Sequence, residues 1–247
     1  ASMTTNIIGN KIIDEVSLFC ACRNREENLL KSLDNWLSFD EVDEIIIVDW
    51  FSDEPIRIKN DKVLVVRVED EERWCQTTSF NLAARFTSRK NICKVDCDYI
   101  LGKNFFSEYI LSEEIFYTGN YELARDWNER FLNGLLYISR KNFFDVNGYN
   151  EYLVCYGWDD SDLYKRLVEN CKERLDIHPD FASHIEHSNE SRGISDNFWD
   201  DWPKNAGQTI KNMEVSKQNL WSNDNEMAAY HIIKKGGNYI CRRKIKQ

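Results

Sequence analysis

An open, mainly parallel α/β sheet with helices on its faces is the fold class the sequence predicts, and three observations predict it. Short apolar runs recur where buried strands would lie, at residues 16–22, 44–49, 63–68 and 92–97. Amphipathic stretches of helical length are spaced among them. The first, second and fourth runs end in polar residues, as expected where a ligand crevice lies beyond the carboxyl ends of the strands.

Taken in order, residues 16–22 (VSLFCAC) lead into Arg23, Asn24, Arg25 and Glu26. Leu29, Leu30, Leu33 and Leu37 then fall on one face of a helix. Residues 44–49 (EIIIVD) read as the second strand, closed by the loop WFSDEP, and residues 63–68 as the third. Residues 77–88 read as a helix with Phe80 and Ala84 along one side. The fourth strand, 92–97, runs into Asp96 and Asp98. On an extended chain side chains two apart point the same way, so both acids are expected to face one place at the strand's end. That position suits a hard divalent cation held against a phosphate. An isolated Asp-x-Asp is common by chance and takes its meaning from its neighbours.

The second half is less regular. Residues 114–118 and 135–139 read as strands, Asn147-Gly148 as a turn, and 174–178 as a further strand. Gly157-Trp158-Asp159-Asp160-Ser161-Asp162 opens a helix with Leu163, Leu167 and Val168 apolar. From residue 197 the chain is polar and Trp-bearing, reads as helical, and ends in the basic cluster Arg242, Arg243, Lys244 and Lys246. That cluster suits contact with an anionic lipid surface or a lipid-linked acceptor, or solubility alone.

A chain of 247 residues fits one large domain, or one with an appendage. The net charge of −10, from 42 acidic against 32 basic residues, repels polyanions and argues against nucleic acid as a partner. Eight Trp are a surplus that flat sugar sites use, as cores also do. The eight Cys form no CxxC pair and several lie in apolar runs, so reduced, buried thiols are expected. No opening stretch has a signal-peptide layout and no apolar run reaches bilayer length, which predicts a cytoplasmic location.

The ordered series VSLFCACRNREENLLKSL, EIIIVDWFSDEP, FNLAAR, KVDCD, GYNEYLVCYGWDDSDLYKRL and HIEHSNESRG resembles inverting nucleotide-sugar glycosyltransferases of the GT-A fold, family 2-like. The later motifs are similar to the C-terminal segment of β-1,4-galactosyltransferases and of the chondroitin-polymerase type. The likeness runs from about residue 16 to residue 193. It implies a transferase domain over 1–195, with a donor half at about 14–100 and an acceptor and catalytic half at about 101–195. Residues 196–247 would be a helical C-terminal extension packed on it.

The resemblance further implies Mn2+ or Mg2+ as cofactor, a UDP-sugar donor and a glycan acceptor. In the DxD-like triplet it makes Asp98 the metal ligand and gives Asp96 a supporting place at the ribose or a metal-bound water. His187 matches the family's later His ligand better than His184. The second acid of the family's Glu-Asp pair is the base, which corresponds to Asp160; Asp159 stands where the family has Glu and is a candidate for holding a sugar hydroxyl. A base of this kind contributes roughly 10²- to 10⁴-fold. The plain alternative for Asp159, Asp160 and Asp162 is capping of a helix N-terminus. Asp49 would bond the nucleobase, with Arg23 or Arg25 nearby and Trp50 or Phe51 able to stack on it. Asn81 and Arg85 would face the diphosphate, and Trp158 would offer a platform for the acceptor sugar. Two other readings compete. A sugar nucleotidyltransferase would need a glycine-rich loop after the first strand, and CACRNREEN has no glycine. A non-catalytic glycan-binding module would use the Trp-rich surface and leave the acids idle.

Overall fold

The structure, a computed structural model, describes residues 6–8, 11–13, 15–154, 157–186, 202–217 and 230–244. Strands β1 (Asn6–Ile8) and β2 (Lys11–Ile13) pair antiparallel ahead of the main sheet. β3 (Val16–Cys22) is buried along its whole length. Its alternating side chains serve two cores: Leu18, Cys20 and Cys22 face one, Phe19 and Ala21 the other. A strand covered on both faces needs a continuous apolar run, which is why this sequence has no polar alternation.

Helix α1 (Glu26–Leu37) covers the first face with Leu29, Leu33 and Trp36, while Leu30 is exposed. The buried stripe follows i, i+4, i+7 through Trp36, with Leu37 partly buried against the same core. Strands β4 (Val42–Trp50) and β5 (Val63–Glu69) continue the parallel sheet. Helix α2 (Gln76–Arg85) covers the second face and is buried from Thr77 to Ala84, on every side rather than along one stripe. β6 (Asn91–Lys94) lies parallel to β3 on its other side. Next come β7 (Tyr99–Leu101), α3 (Phe105–Glu108), β8 (Ile115–Thr118), β9 (Leu136–Ser139) and α4 (Arg140–Asp145). They are followed by α5 (Asp159–Glu169), β10 (Glu173–Asp176) and β11 (Ala182–His184).

The C-terminal stretch supplies helix α6 (Trp202–Lys217) and a hairpin of β12 (Tyr230–Lys235) and β13 (Asn238–Arg243). The hairpin joins the sheet through β13, parallel to β5, so this part of the chain is sheet as well as helix. Among the described residues the sheet order is β10-β8-β9-β6-β3-β4-β5-β13-β12, with β9 antiparallel to both of its neighbours. The cysteines at 20, 22, 93, 97 and 241 are buried and unpaired, as their apolar runs imply. Among the described residues no helix is long and apolar enough to cross a membrane.

Candidate active site

The site begins where β6 stops. Lys94 is the last residue paired with β9, opposite Leu136. The Val95 amide still donates to the Phe19 carbonyl at 3.0 Å, and the chain then turns, with the Tyr99 amide donating to the Asp96 carbonyl at 3.1 Å. Asp96 and Asp98 thus stand in a turn rather than on a strand, and the extended-chain rule that put them side by side does not apply. The Asp98 side chain is 2% exposed and that of Asp96 is 34% exposed. The turn is anchored from behind: Trp36 Nε1 donates to the Tyr99 carbonyl at 3.0 Å, and the Asn35 amide brackets Leu101 on both its N–H and its C=O.

The two acids have different partners. Asp98 Oδ2 accepts from Arg25 Nη1 at 3.1 Å and lies 3.3 Å from His184 Nε2. His184 arrives there because β11 pairs antiparallel with β7, opposite Tyr99. Asn128 fixes the ring: its amide group donates to the His184 carbonyl at 2.7 Å, so its Oδ1, 2.7 Å from Nδ1, is the acceptor. In the neutral ring Nδ1 then carries the proton and Nε2 its lone pair, turned toward the Asp98 carboxylate. A hard oxygen and an imidazole nitrogen oriented by an outer partner form a donor set that fits a divalent cation. Among the described residues no group of three or more His, Cys, Asp and Glu could enclose a metal; oxygens of a ligand or residues outside the described ones would complete its shell.

Asp96 instead accepts from Lys94 Nζ at 2.7 Å. Lys94 is buried, with a side chain 2% exposed; it also donates to the Gly134 carbonyl at 3.0 Å and lies 4.1 Å from the centre of the Phe80 ring. Burial alone would lower its pKa, but Asp96, Asp160 and Asp159 outweigh burial and hold it above the ordinary lysine value. A side-chain carbon on Gly134 would come within 2.9 Å of Lys94 Nζ, 3.1 Å of the Tyr99 hydroxyl and 3.4 Å of Asp160 Oδ2. Glycine there lets these three groups converge.

The other wall is the start of α5. Gly157 and Trp158 both adopt left-handed backbone, with φ of 99° and 65°. For Trp158 this costs on the order of 1–3 kcal/mol, a strain tolerated mainly where position matters. Trp158, Asp159 and Asp160 line one cleft of about 300 Å³ with Arg25, Asp96 and Asp98. Asp162, in contrast, is bonded to Arg166 at 2.9 Å inside the fold and serves the helix. Asp160 Oδ2 lies 3.5 Å from Asn133 Nδ2, and Oδ1 is buried with no hydrogen-bond partner among the described residues. Burial raises the pKa of both carboxyls. The negative charge of Asp160 pushes Asp159 well above the usual range, and Lys94 pulls Asp160 back toward it. Two adjacent buried carboxyls of this kind titrate together, raised by burial and held down by Lys94.

Several residues singled out from the sequence lie elsewhere. Asp49 is fully buried, and its carboxylate accepts from the Ser52 and Ile56 amides and from Arg67, which leaves it a loop-holding part. Trp50 is fully buried and donates to the Arg73 carbonyl, so it offers no stacking face. Arg23 donates to the Glu71 carbonyl outside the cleft lining. Asn81 clamps Tyr149 through both N–H and C=O, beneath the left-handed Asn147-Gly148 turn. Arg85 stacks over Phe144 at 4.6 Å. Asn81 and Arg85 therefore hold α2 against the turn and do not reach the cleft. His187 lies outside the described residues. Sequence reasoning ranked His184 second and passed over Lys94, Asn128, Asn133 and Gly134. The signal for His184 was its alternation with Ala182 along a short strand; for a buried lysine or a contact-forming glycine the sequence carries none.

Comparisons with known proteins agree with this architecture. A family profile described as the N-terminal domain of galactosyltransferase matches residues 118–188. No curated protein sequence matches the chain. Among solved structures, the catalytic domain of Drosophila β1,4-galactosyltransferase 7 in complex with xylobiose superposes with a TM-score of 0.60 at 17% identity, covering 95% of each chain. GalNAc-T7 with UDP, GalNAc and Mn2+ gives 0.63 at 13% identity over 83% of this chain. A mannosyltransferase from Pyrobaculum calidifontis in complex with GDP-Man and Mn2+ gives 0.53 at 14% identity over 68% of this chain. The chain spans 48% and 55% of the lengths of those last two. At these identities the likeness establishes the fold, which is GT-A.

Proposed function

We propose that this chain is a metal-dependent, inverting glycosyltransferase that moves a hexose or N-acetylhexosamine from a UDP-sugar to a hydroxyl of a glycan acceptor. The observation that carries the reading is the meeting of two unlike carboxylate sites in one cleft: Asp98 with His184 and Arg25 at one end, Asp159 with Asp160 beneath Trp158 at the other. One suits a cation and a diphosphate, the other a proton.

In this reading Asp98 and His184 hold the divalent cation, and His187, outside the described residues, is a further candidate ligand. The chemistry such a cation supplies is neutralisation of charge on the departing diphosphate. Asp160 accepts the proton of the acceptor hydroxyl as its oxygen bonds to the anomeric carbon from the face opposite the diphosphate. The anomeric C–O bond breaks with its electron pair leaving on UDP, so configuration inverts. Asp159 holds a sugar hydroxyl, and Trp158 supports a sugar face. Asp96, tied to Lys94, borders the ribose side. Arg25 lies on the nucleotide side, and Asp49 holds the loop that follows β4. The donor half would then run to about residue 100 and the acceptor half from there to about 195.

The test is a screen of nucleotide sugars with and without Mn2+, reading thermal shift and donor hydrolysis together. The reading requires a UDP-sugar response that depends on the metal; a chain indifferent to every nucleotide sugar under both conditions would exclude it.

A further inference from the structure

The cleft holds one cation whose charge is not answered from within the described part of the protein. Arg25 is paired with Asp98 and Lys94 with Asp96. Arg130 also lines the cleft, is exposed, and has no carboxylate within ion-pair distance among the described residues. Its near neighbour makes the contrast plain: Arg125 is bound by Glu129 at 2.8 Å and by Asp180 at 2.5 Å. The two arginines lie five residues apart, and only one has been saturated.

Arg130 is also held ready. Its guanidinium lies 4.7 Å from the centre of the Trp127 ring, and Trp127 is 49% exposed. Stacking of this kind limits the rotamers of a long side chain while leaving its N–H fork available for a planar or tetrahedral anion. The segment that carries it, the 3-10 turn Asn128–Gly134, is fixed at both ends by site residues: Asn128 bonds His184 and Asn133 approaches Asp160. The aromatic rings of Tyr121 and Trp158 line the same cleft and are exposed, as surfaces for a sugar face would be.

We propose that Arg130, backed by Trp127, is a subsite for an anionic group, a carboxylate or phosphate, carried by the acceptor saccharide, so that the enzyme selects acidic over neutral acceptors. This rests on the transferase reading for its biological sense, but the subsite can be measured without it. The probes are methyl β-D-galactopyranoside and its 6-carboxylate counterpart, titrated by NMR into the wild-type chain and into Arg130→Ala and Arg130→Lys. A charge-assisted hydrogen bond predicts that the wild type binds the carboxylate about tenfold more tightly than the neutral sugar. The preference disappears in Arg130→Ala and survives in reduced form in Arg130→Lys, with circular dichroism confirming that each variant is folded. Equal binding of the two probes by the wild type overturns the proposal. So does an Arg130→Ala variant that keeps the preference but loses affinity for UDP with Mn2+, which would assign the guanidinium to the donor diphosphate. If UDP fails to bind the wild type while the carboxylate preference stands, the transferase reading falls and the anion subsite remains.

Discussion

The two ends of the cleft use the same side-chain type in opposite ways. At the Asp98 end a buried carboxylate is surrounded by a guanidinium and an imidazole. At the α5 end two buried carboxyls lie next to each other, and their nearest cation, Lys94, is committed to Asp96. An acid paired with a guanidinium is favoured as the carboxylate and can share its charge with a metal. An acid beside another acid takes up and holds a proton more readily. Environment, not residue type, assigns the role, and Lys94 divides the two ends by neutralising Asp96 between them.

The largest effect should come from breaking the proton end. Asp160→Asn is expected to lower the transfer rate by roughly 10²- to 10⁴-fold, read as product formed per enzyme at saturating donor. The cation end is tested through its outer partner. Asn128→Ala releases the imidazole of His184 and should weaken Mn2+ binding by about 10- to 100-fold, measured by calorimetry with UDP present. An unchanged metal affinity would remove His184 from the ligand set and leave the role to His187.

A third variant moves the boundary. Asp160 must be ionised to act as base; burial raises its pKa and Lys94 lowers it. The rate should therefore rise with pH through a limb above the ordinary carboxylate value and level off once Asp160 is charged. Lys94→Met removes the lowering influence, so that limb should move to higher pH in a kcat/KM profile. A limb that stays in place would detach Lys94 from the base. The smallest effect belongs to the proposed sugar platform: Trp158→Ala should raise acceptor KM by about two- to tenfold while leaving UDP affinity alone.

Much of this architecture is legible in the sequence because burial on both faces writes itself as uninterrupted apolar runs. β3, β4 and β5 are visible for that reason, and α1 and α5 through their helical stripes. Pairings between short segments far apart leave no such mark. The contact of β7 with β11 joins three residues to three across some eighty positions, yet it is what delivers His184 to Asp98. The C-terminal hairpin has an exposed outer strand with no apolar periodicity and reads as polar tail. Within the site, Asp98, Asp159 and Asp160 could be found because acids at the mouths of strands and helices stand out in a sequence. Asp49 and Asn81 stand out equally, but their polar atoms are satisfied inside the protein, and only the partners reveal that.

If the two ends do separate work, calorimetric titration of UDP with and without Mn2+ distinguishes Asp98→Asn from Asp160→Asn. Asp98→Asn is expected to lose metal-dependent UDP binding, whereas Asp160→Asn binds UDP and Mn2+ as the wild type does. Equal loss of binding in both variants, or unchanged metal-dependent binding in Asp98→Asn, would contradict that separation.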